Sequence, residues 1–203
     1  MSKFYDDFRG VSNLVGALVT QDDGEGYATG EIFDIIPVAE ISKSTEASSA
    51  SKYYDNIPAL VINSEGSDEI SITGAAIPLD VLSKITGKEI DATSGVFIDG
   101  PAVPPYMAIG YQYELTSGDT VVYWRLKGKF TIPDVSSATQ DDGTDSSGQE
   151  LTYTGVNTNH KFTKTGKTAK GIVADSRFST FDAATVLATV HTPDVLTGIT
   201  AKV

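Results

Sequence analysis

Between Tyr106 and Phe130 bulky and polar side chains alternate with period two on both sides of Thr116-Ser117-Gly118-Asp119. A helix repeats every 3.6 residues and cannot sort such a pattern onto faces, whereas a strand does so automatically. The stretch therefore predicts a long hairpin over 106–130, with arms Tyr106 to Leu115 and Thr120 to Phe130. Pairing Leu115 with Thr120 sets Tyr113 opposite Val122, Tyr111 opposite Trp124 and Ile109 opposite Leu126, so this face is expected to be core. The opposite face holds Gln112, Glu114, Tyr123, Arg125, Lys127 and Lys129, and its cations are expected to reach solvent or a partner.

The rest of the chain agrees with a mainly β fold. Val and Ile total 33 against 10 Leu, and Ser and Thr total 42. Such stiff side chains suit a pleated surface better than a helix. Further strands are expected at Leu14 to Thr20, Glu31 to Val38, Ile57 to Asn63, Asp68 to Ala75, Leu151 to Thr158, Gly171 to Asp175 and Thr185 to Thr192. With the hairpin they suffice for a β-sandwich. One short flanking α-helix is expected at about 78–87: Pro78 suits a first helical position, Leu79, Leu82 and Ile85 recur at three-residue spacing, and Gly87 supplies a stop. Two polar stretches, 41–56 and 133–150, are expected as extended loops, long enough to be functional or to order against another subunit. A single domain over 1–203 is expected, since no repeat or composition break divides the chain.

Several classes of function fall away on composition. The chain has no cysteine, which excludes disulfides, thiol nucleophiles and cysteine metal sites. Its formal net charge is −12, which disfavours adhesion to nucleic-acid phosphate. The surplus is uneven: residues 1–100 carry 17 acids against 6 bases, residues 101–203 carry 10 against 9. One part is therefore expected to present a negative face. No apolar run approaches the ~18 residues of a membrane span, and the acids Asp6 and Asp7 stand where an export signal needs apolar residues. Synthesis and folding in the cytoplasm are expected.

Sequence motifs invite chemistry without completing it. Gly166-Lys167-Thr168 looks like the end of a phosphate-binding loop, yet Lys161 stands where that loop needs its first glycine. Gly24, Gly26 and Gly30 miss the dinucleotide spacing, because Thr29 occupies the third glycine position. Asp141, Asp142, Asp145 and Glu150 match no register of a calcium loop. The pairs Asp6/Asp7 and Asp22/Asp23 lie in polar surroundings that give no desolvated dyad. His160 and His191 lack both a nucleophile elbow and a second metal ligand at helical spacing. No catalytic residue, metal site or cofactor is expected.

The order of features along the chain carries more than any one motif. Gly10-Val11-Ser12-Asn13-Leu14 leads into the first strand, and Lys52-Tyr53-Tyr54-Asp55-Asn56 follows a polar stretch. Ser64-Glu65-Gly66 precedes the strand from Asp68 to Gly74, then Ile77-Pro78-Leu79-Asp80-Val81-Leu82 and Ile85-Thr86-Gly87-Lys88 follow. Pro105-Tyr106-Met107-Ala108-Ile109-Gly110-Tyr111 opens the hairpin, Trp124-Arg125-Leu126-Lys127-Gly128-Lys129-Phe130 closes it, and Pro133 introduces a stretch ending at Glu150-Leu151-Thr152-Tyr153. In this order the chain resembles the major tail proteins of long, non-contractile-tailed bacteriophages, the phi13-type family, over most of its length up to about Thr165.

The resemblance implies a β-sandwich of tail-tube type with an N-terminal arm and no appended immunoglobulin-like domain. It implies a structural virion protein, made in the host bacterial cytoplasm. Hexameric rings would stack into the tail tube, through which genome DNA passes without specific binding. Expected partners are further copies of the chain and the tape-measure, tail-terminator and baseplate or distal tail proteins. Candidate inter-subunit contacts are Tyr53, Tyr54, Asp55, Arg125, Lys127 and Lys129. Two other readings stay open at this level: a carbohydrate-binding β-sandwich module, and another virion component such as a tail terminator.

Overall fold

A computed structural model describes residues 5–54, 56–91, 93–133 and 148–202. The strands are β1 (Phe8–Asp22), β2 (Tyr27–Asp34), β3 (Val38–Tyr54), β4 (Ile57–Gly74), β5 (Met107–Leu115), β6 (Thr120–Phe130), β7 (Gln149–Gly155), β8 (Gly171–Asp175), β9 (Ser179–Thr180) and β10 (Thr200–Ala201). Two short helices, α1 (Leu79–Thr86) and α2 (Ala183–Leu187), complete them. The architecture is mainly β, a large antiparallel sheet folded in the manner of a sandwich.

The main sheet runs β2-β1-β5-β6-β7-β4-β3, with β8 also pairing β6. Its two terminal strands are neighbours in the chain, which dictates its shape. Laid flat at about 4.8 Å per strand, β2 and β3 would lie about 29 Å apart, but the four peptide steps from Asp34 to Val38 reach only about 14 Å. The sheet therefore curls until its ends approach. Tyr113 Oη donates across the closure to the Ile41 carbonyl at 3.2 Å, and the Ile35 amide donates to the Leu14 carbonyl at 3.0 Å.

Inside the curl lies one core, built from Leu14, Ile35, Ile70, Ile72, Ile109, Tyr111, Phe130, Leu151 and Tyr153, with Val81 and Ile85 of α1. A second core lies on the other face, where Val15, Ala17, Ala108, Val122, Trp124 and Leu126 meet Phe162, Val186, Leu187 and Val190. The hairpin β5–β6 is thus buried on both faces. The expectation of one wet face is corrected: the chain from 156 onward lies over it, and Trp124 Nε1 donates to the Val186 carbonyl at 3.0 Å.

The hairpin is present, one residue out of the expected register. Glu114 pairs with Thr120, Tyr111 with Tyr123 and Gly110 with Trp124. Because strand side chains alternate, that slip sends Trp124 to the opposite face from Tyr111. The turn decides it, because the Leu115 amide donates to the Asp119 carbonyl at 2.8 Å and the Gly118 amide returns to the Leu115 carbonyl at 2.9 Å.

Helix α1 lies within the expected 78–87, with Pro78 one step earlier, at the N-cap, and Gly87 closing it at φ 69°. A Cβ at Gly87 would also stand 2.3 Å from the Val103 carbonyl oxygen, so both conformation and space call for glycine there. Strand β8 matches its expected bounds. The strand expected at Thr185 to Thr192 is absent: Thr185 to Leu187 lie in α2, where the Asp182 carboxylate accepts from the Thr185 amide at 3.0 Å and caps a helical turn, and the chain beyond is irregular.

The expected loop at 41–56 is also corrected. Residues 41–54 lie in β3, paired with a single long β4 that unites the two strands expected at Ile57 to Asn63 and Asp68 to Ala75. Only Asp68 to Gly74 of β4 also pair with β7. Among the described residues the ribbon from Ala47↔Glu65 out to Tyr54↔Ile57 pairs only with itself, an arm whose β3 half is rich in serine and whose β4 half exposes Ile57, Leu60 and Val61. Of the other expected loop, 133–150, residues 134–147 lie outside the described residues, and Gln149 and Glu150 belong to β7.

Candidate assembly surface

The three cations of β6 are used inside the chain. Arg125 Nη1 lies 3.1 Å from Asp68 Oδ2, and the same carboxylate receives Lys43 at 3.6 Å and Lys170 at 3.2 Å. Thr45 Oγ1 donates to it at 2.9 Å. Asp68 is 1 % exposed. Burial alone would push its pKa up, but hydrogen bonds from Thr45 and Lys170 and the charges of Arg125 and Lys43 outweigh that and hold the carboxyl below the usual range. The cluster sits where the arm leaves the body, so one acid from β4 gathers β3, β6 and the segment before β8.

Lys127 reaches the other way across the sheet. Its ammonium lies 2.5 Å from Asp22 Oδ2 at the end of β1, and both side chains are under one-tenth exposed. Asp22 also accepts from the amides of Asn159 and His160 at 2.9 Å. Burial again opposes the charge, and these hydrogen bonds with Lys127 hold its carboxyl low. Lys127 and Lys129 both stand over the Tyr106 ring, at 4.7 and 4.5 Å from its centroid. A register shift between Met107 and Ile109 places an extra residue in β6 between Arg125 and Gly128, so the simple alternation that put Arg125, Lys127 and Lys129 on one open face does not hold. Of the other candidate contacts, Asp55 and the side chains of Tyr53 and Tyr54 lie outside the described residues; the backbones of Tyr53 and Tyr54 pair with Pro58 and Ile57 near the end of the arm.

The arm is the most prominent unused surface. Ile57, Leu60 and Val61 are 65, 47 and 57 % exposed. A two-stranded ribbon alone in water is marginally stable, and its unpaired edges are templates for another strand. The Asn56 backbone takes φ 63° at the turn, a conformation asparagine tolerates, and Ser48 Oγ meets Ser64 Oγ at 2.6 Å across the ribbon. Elsewhere the Lys161 to Lys170 stretch forms a turn in which the Phe162 amide donates to the Lys167 carbonyl at 3.0 Å. Asp194 accepts from the amides of Thr163 and Lys164 at 2.8 and 2.7 Å and anchors the turn. It is a lysine-rich turn with no phosphate-loop geometry.

Both histidines lie against backbone carbonyls. His160 Nδ1 lies 3.2 Å from the Asp23 carbonyl and its ring meets Phe162 edge-on. His191 is 1 % exposed, its two nitrogens 2.7 and 2.9 Å from the carbonyls of Thr189 and Thr197. Among the described residues no three His, Asp or Glu side chains converge as metal ligands, and no helix is long and apolar enough to cross a membrane.

Sequence reasoning missed Asp68, although a signal exists. Asp68, Ile70 and Ile72 share one phase of β4, and all three are at most 1 % exposed. An acid on the apolar phase of a strand requires a buried cation, and Arg125 is that cation. In comparison with known proteins, no family model matches the chain and no curated protein matches it.

Proposed function

We propose that the chain is the tail-tube subunit of a long, non-contractile bacteriophage tail, a structural virion protein that polymerises as stacked hexameric rings. The single observation that carries this reading is the arm formed by the outer halves of β3 and β4, which exposes Ile57, Leu60 and Val61 and, among the described residues, pairs with no other strand. Such a ribbon is marginal in water by itself and is stabilised when a further strand or surface packs against it, which another copy can supply. Among the described residues the sheet also ends in unpaired outer edges on β2 and β3, which suits a protein whose copies meet edge to edge. The resemblance of the order of segments to the phi13-type major tail proteins is what suggests a tail tube as the polymer.

In this reading the copies polymerise against tape-measure, terminator and distal tail proteins, and DNA passes through the channel without specific binding. The net charge of −12 supports that last point, because a negative wall repels phosphate. Negative-stain microscopy of concentrated protein, beside sedimentation velocity at low concentration, tests the reading. Hollow tubes of stacked rings are the expected result. A chain that stays monomeric at every concentration and joins no growing tail tube overturns it.

A further inference from the structure

We propose that the groove along the outer edge of β8 receives the arm of a second copy of this chain; the proposal rests on the polymeric reading above and names its docking site. Among the described residues strand β8 pairs with β6 alone, on one side. Beside it opens a groove of about 580 Å³, lined by Ile172, Ala174, Pro193, Leu196 and Ile199, with Lys164 at its rim. Val173, on the same strand, is 55 % exposed. An unpaired strand edge beside an apolar trough is the arrangement that accepts an added strand, with main-chain hydrogen bonds for affinity and alternate side chains in the trough.

Charge selects the occupant. In a chain of net −12, Lys161, Lys164 and Lys167 stand within seven residues of one another, and among the described residues their ammonium groups have no ion pair or hydrogen bond. The arm, from Glu46 to Gly66, holds the acids Glu46, Asp55 and Glu65 against the single base Lys52. An acidic ribbon with exposed Leu60 and Val61 is complementary in both respects to an apolar groove that has Lys164 in its lining and the two other lysines nearby in the chain. The arm of the same copy is tied elsewhere, because Glu65 pairs with Lys170 at 2.6 Å and Asp68 clamps its root. A second copy therefore supplies the ribbon.

Arm and groove are different surfaces of one chain, so the contact is head-to-tail. Every copy that docks leaves one free arm and one free groove, and the contact propagates into a ring or a stack.

The absence of cysteine makes the test clean. Leu60→Cys and Val173→Cys chains, both substituted at exposed positions, are mixed at high concentration under mild oxidation, with Leu60→Cys plus Ser94→Cys as the control pair. A disulfide-linked dimer from the first pair and not the control is expected, with a several-fold lower yield when Lys164→Glu is added to the groove copy. Circular dichroism confirms that each variant folds. Tubes without the Leu60–Val173 link overturn the docking site and leave the tube reading standing. The link without tubes supports the site and overturns the tube. Neither tubes nor link overturns both, and equal linking to Ser94 overturns the site.

Discussion

Gly110 lies beneath the indole of Trp124: a Cβ on Gly110 would stand 2.8 Å from Trp124 Cζ2. The two residues are directly paired on β5 and β6, and Trp124 is fully buried, its ring held by the Val186 carbonyl. A rigid aromatic in a filled core cannot swing aside. Gly110→Ala is therefore expected to cost about 1–3 kcal/mol, the usual penalty of overpacking, read as a lower denaturant midpoint with unchanged slope. Gly16 offers a control, because its Cβ would meet the flexible ends of Ile35 and Met107 at 2.9 and 3.2 Å. Gly16→Ala should cost less; equal losses would sink the explanation.

Asp68 is expected to dominate the electrostatics of the arm root. Asp68→Ala strands Arg125, whose side chain is 13 % exposed, and removing one partner of a buried pair typically costs about 3–5 kcal/mol. The pH dependence follows from the direction of the shift. Folding lowers the Asp68 pKa, so the unfolded chain binds the proton more readily. The contribution is complete above the ordinary Asp value of ~4 and drains away as pH falls through the lower folded value. Asp22 and Asp175 are shifted in the same direction and add to the acid sensitivity. Unfolding midpoints measured down the acid range should fall less steeply in Asp68→Asn than in the parent; parallel curves would remove Asp68 from the account.

The strongly periodic elements were legible in the sequence: the hairpin 106–130, α1 with its Gly87 stop, and β8. Their surroundings were not. Pairing Leu115 with Thr120 maximises bulky contacts on one face, but the bonds among Leu115, Gly118 and Asp119 choose the register, and alternation does not record turn geometry. The second core is invisible to any local window because its cover comes from Phe162, Val186 and Val190, far along the chain. Of the arm, the strand expected at Ile57 to Asn63 is present within β4, whereas the β3 half is expected from sequence as a loop because its Ser-rich run carries no hydrophobic phase. Among the candidate contacts, Arg125 and Lys127 were singled out by charge and strand position, while their internal partners Asp68 and Asp22 depend on long-range pairing.

The Lys127–Asp22 pair gives a separable prediction. Lys127→Met leaves a carboxylate that is 5 % exposed with only backbone amides and is expected to destabilise by a few kcal/mol, about the cost of breaking a buried pair. Adding Asp22→Asn removes the stranded charge and should recover part of that loss. A double variant no more stable than Lys127→Met alone would show that Asp22 keeps no significant charge penalty.

Tyrosine titration probes the closure of the sheet. Tyr113 is pushed up to about 12, mainly by burial and then by the neighbouring Tyr111 and Tyr123; burial also raises Tyr27, Tyr111, Tyr123 and Tyr153. A raised folded pKa means that the folded state holds its proton more tightly. This stability is whole below the ordinary tyrosine value near ~10 and is lost as pH climbs toward the folded value. Absorbance should therefore show these phenols ionising late and together with unfolding. Their smooth titration in a chain that stays folded would contradict the packing.

The arm itself gives the most direct test of the functional reading. Removing Ser48 to Ser64 and joining Ala47 to Glu65 through an Asn-Gly turn shortens the ribbon at a native pair and suits a two-residue hairpin. The root with Asp68, Lys43 and Thr45 stays intact, and among the described residues none of the removed segment belongs to either core. Little change in thermal midpoint is expected, because every described side chain of the removed segment is exposed. Assembly should nevertheless disappear in electron micrographs of concentrated protein, leaving a compact monomer in sedimentation. Normal tubes from the shortened chain would show that the arm does not join copies. Collapse of the fold would instead show that the arm supports the body it projects from.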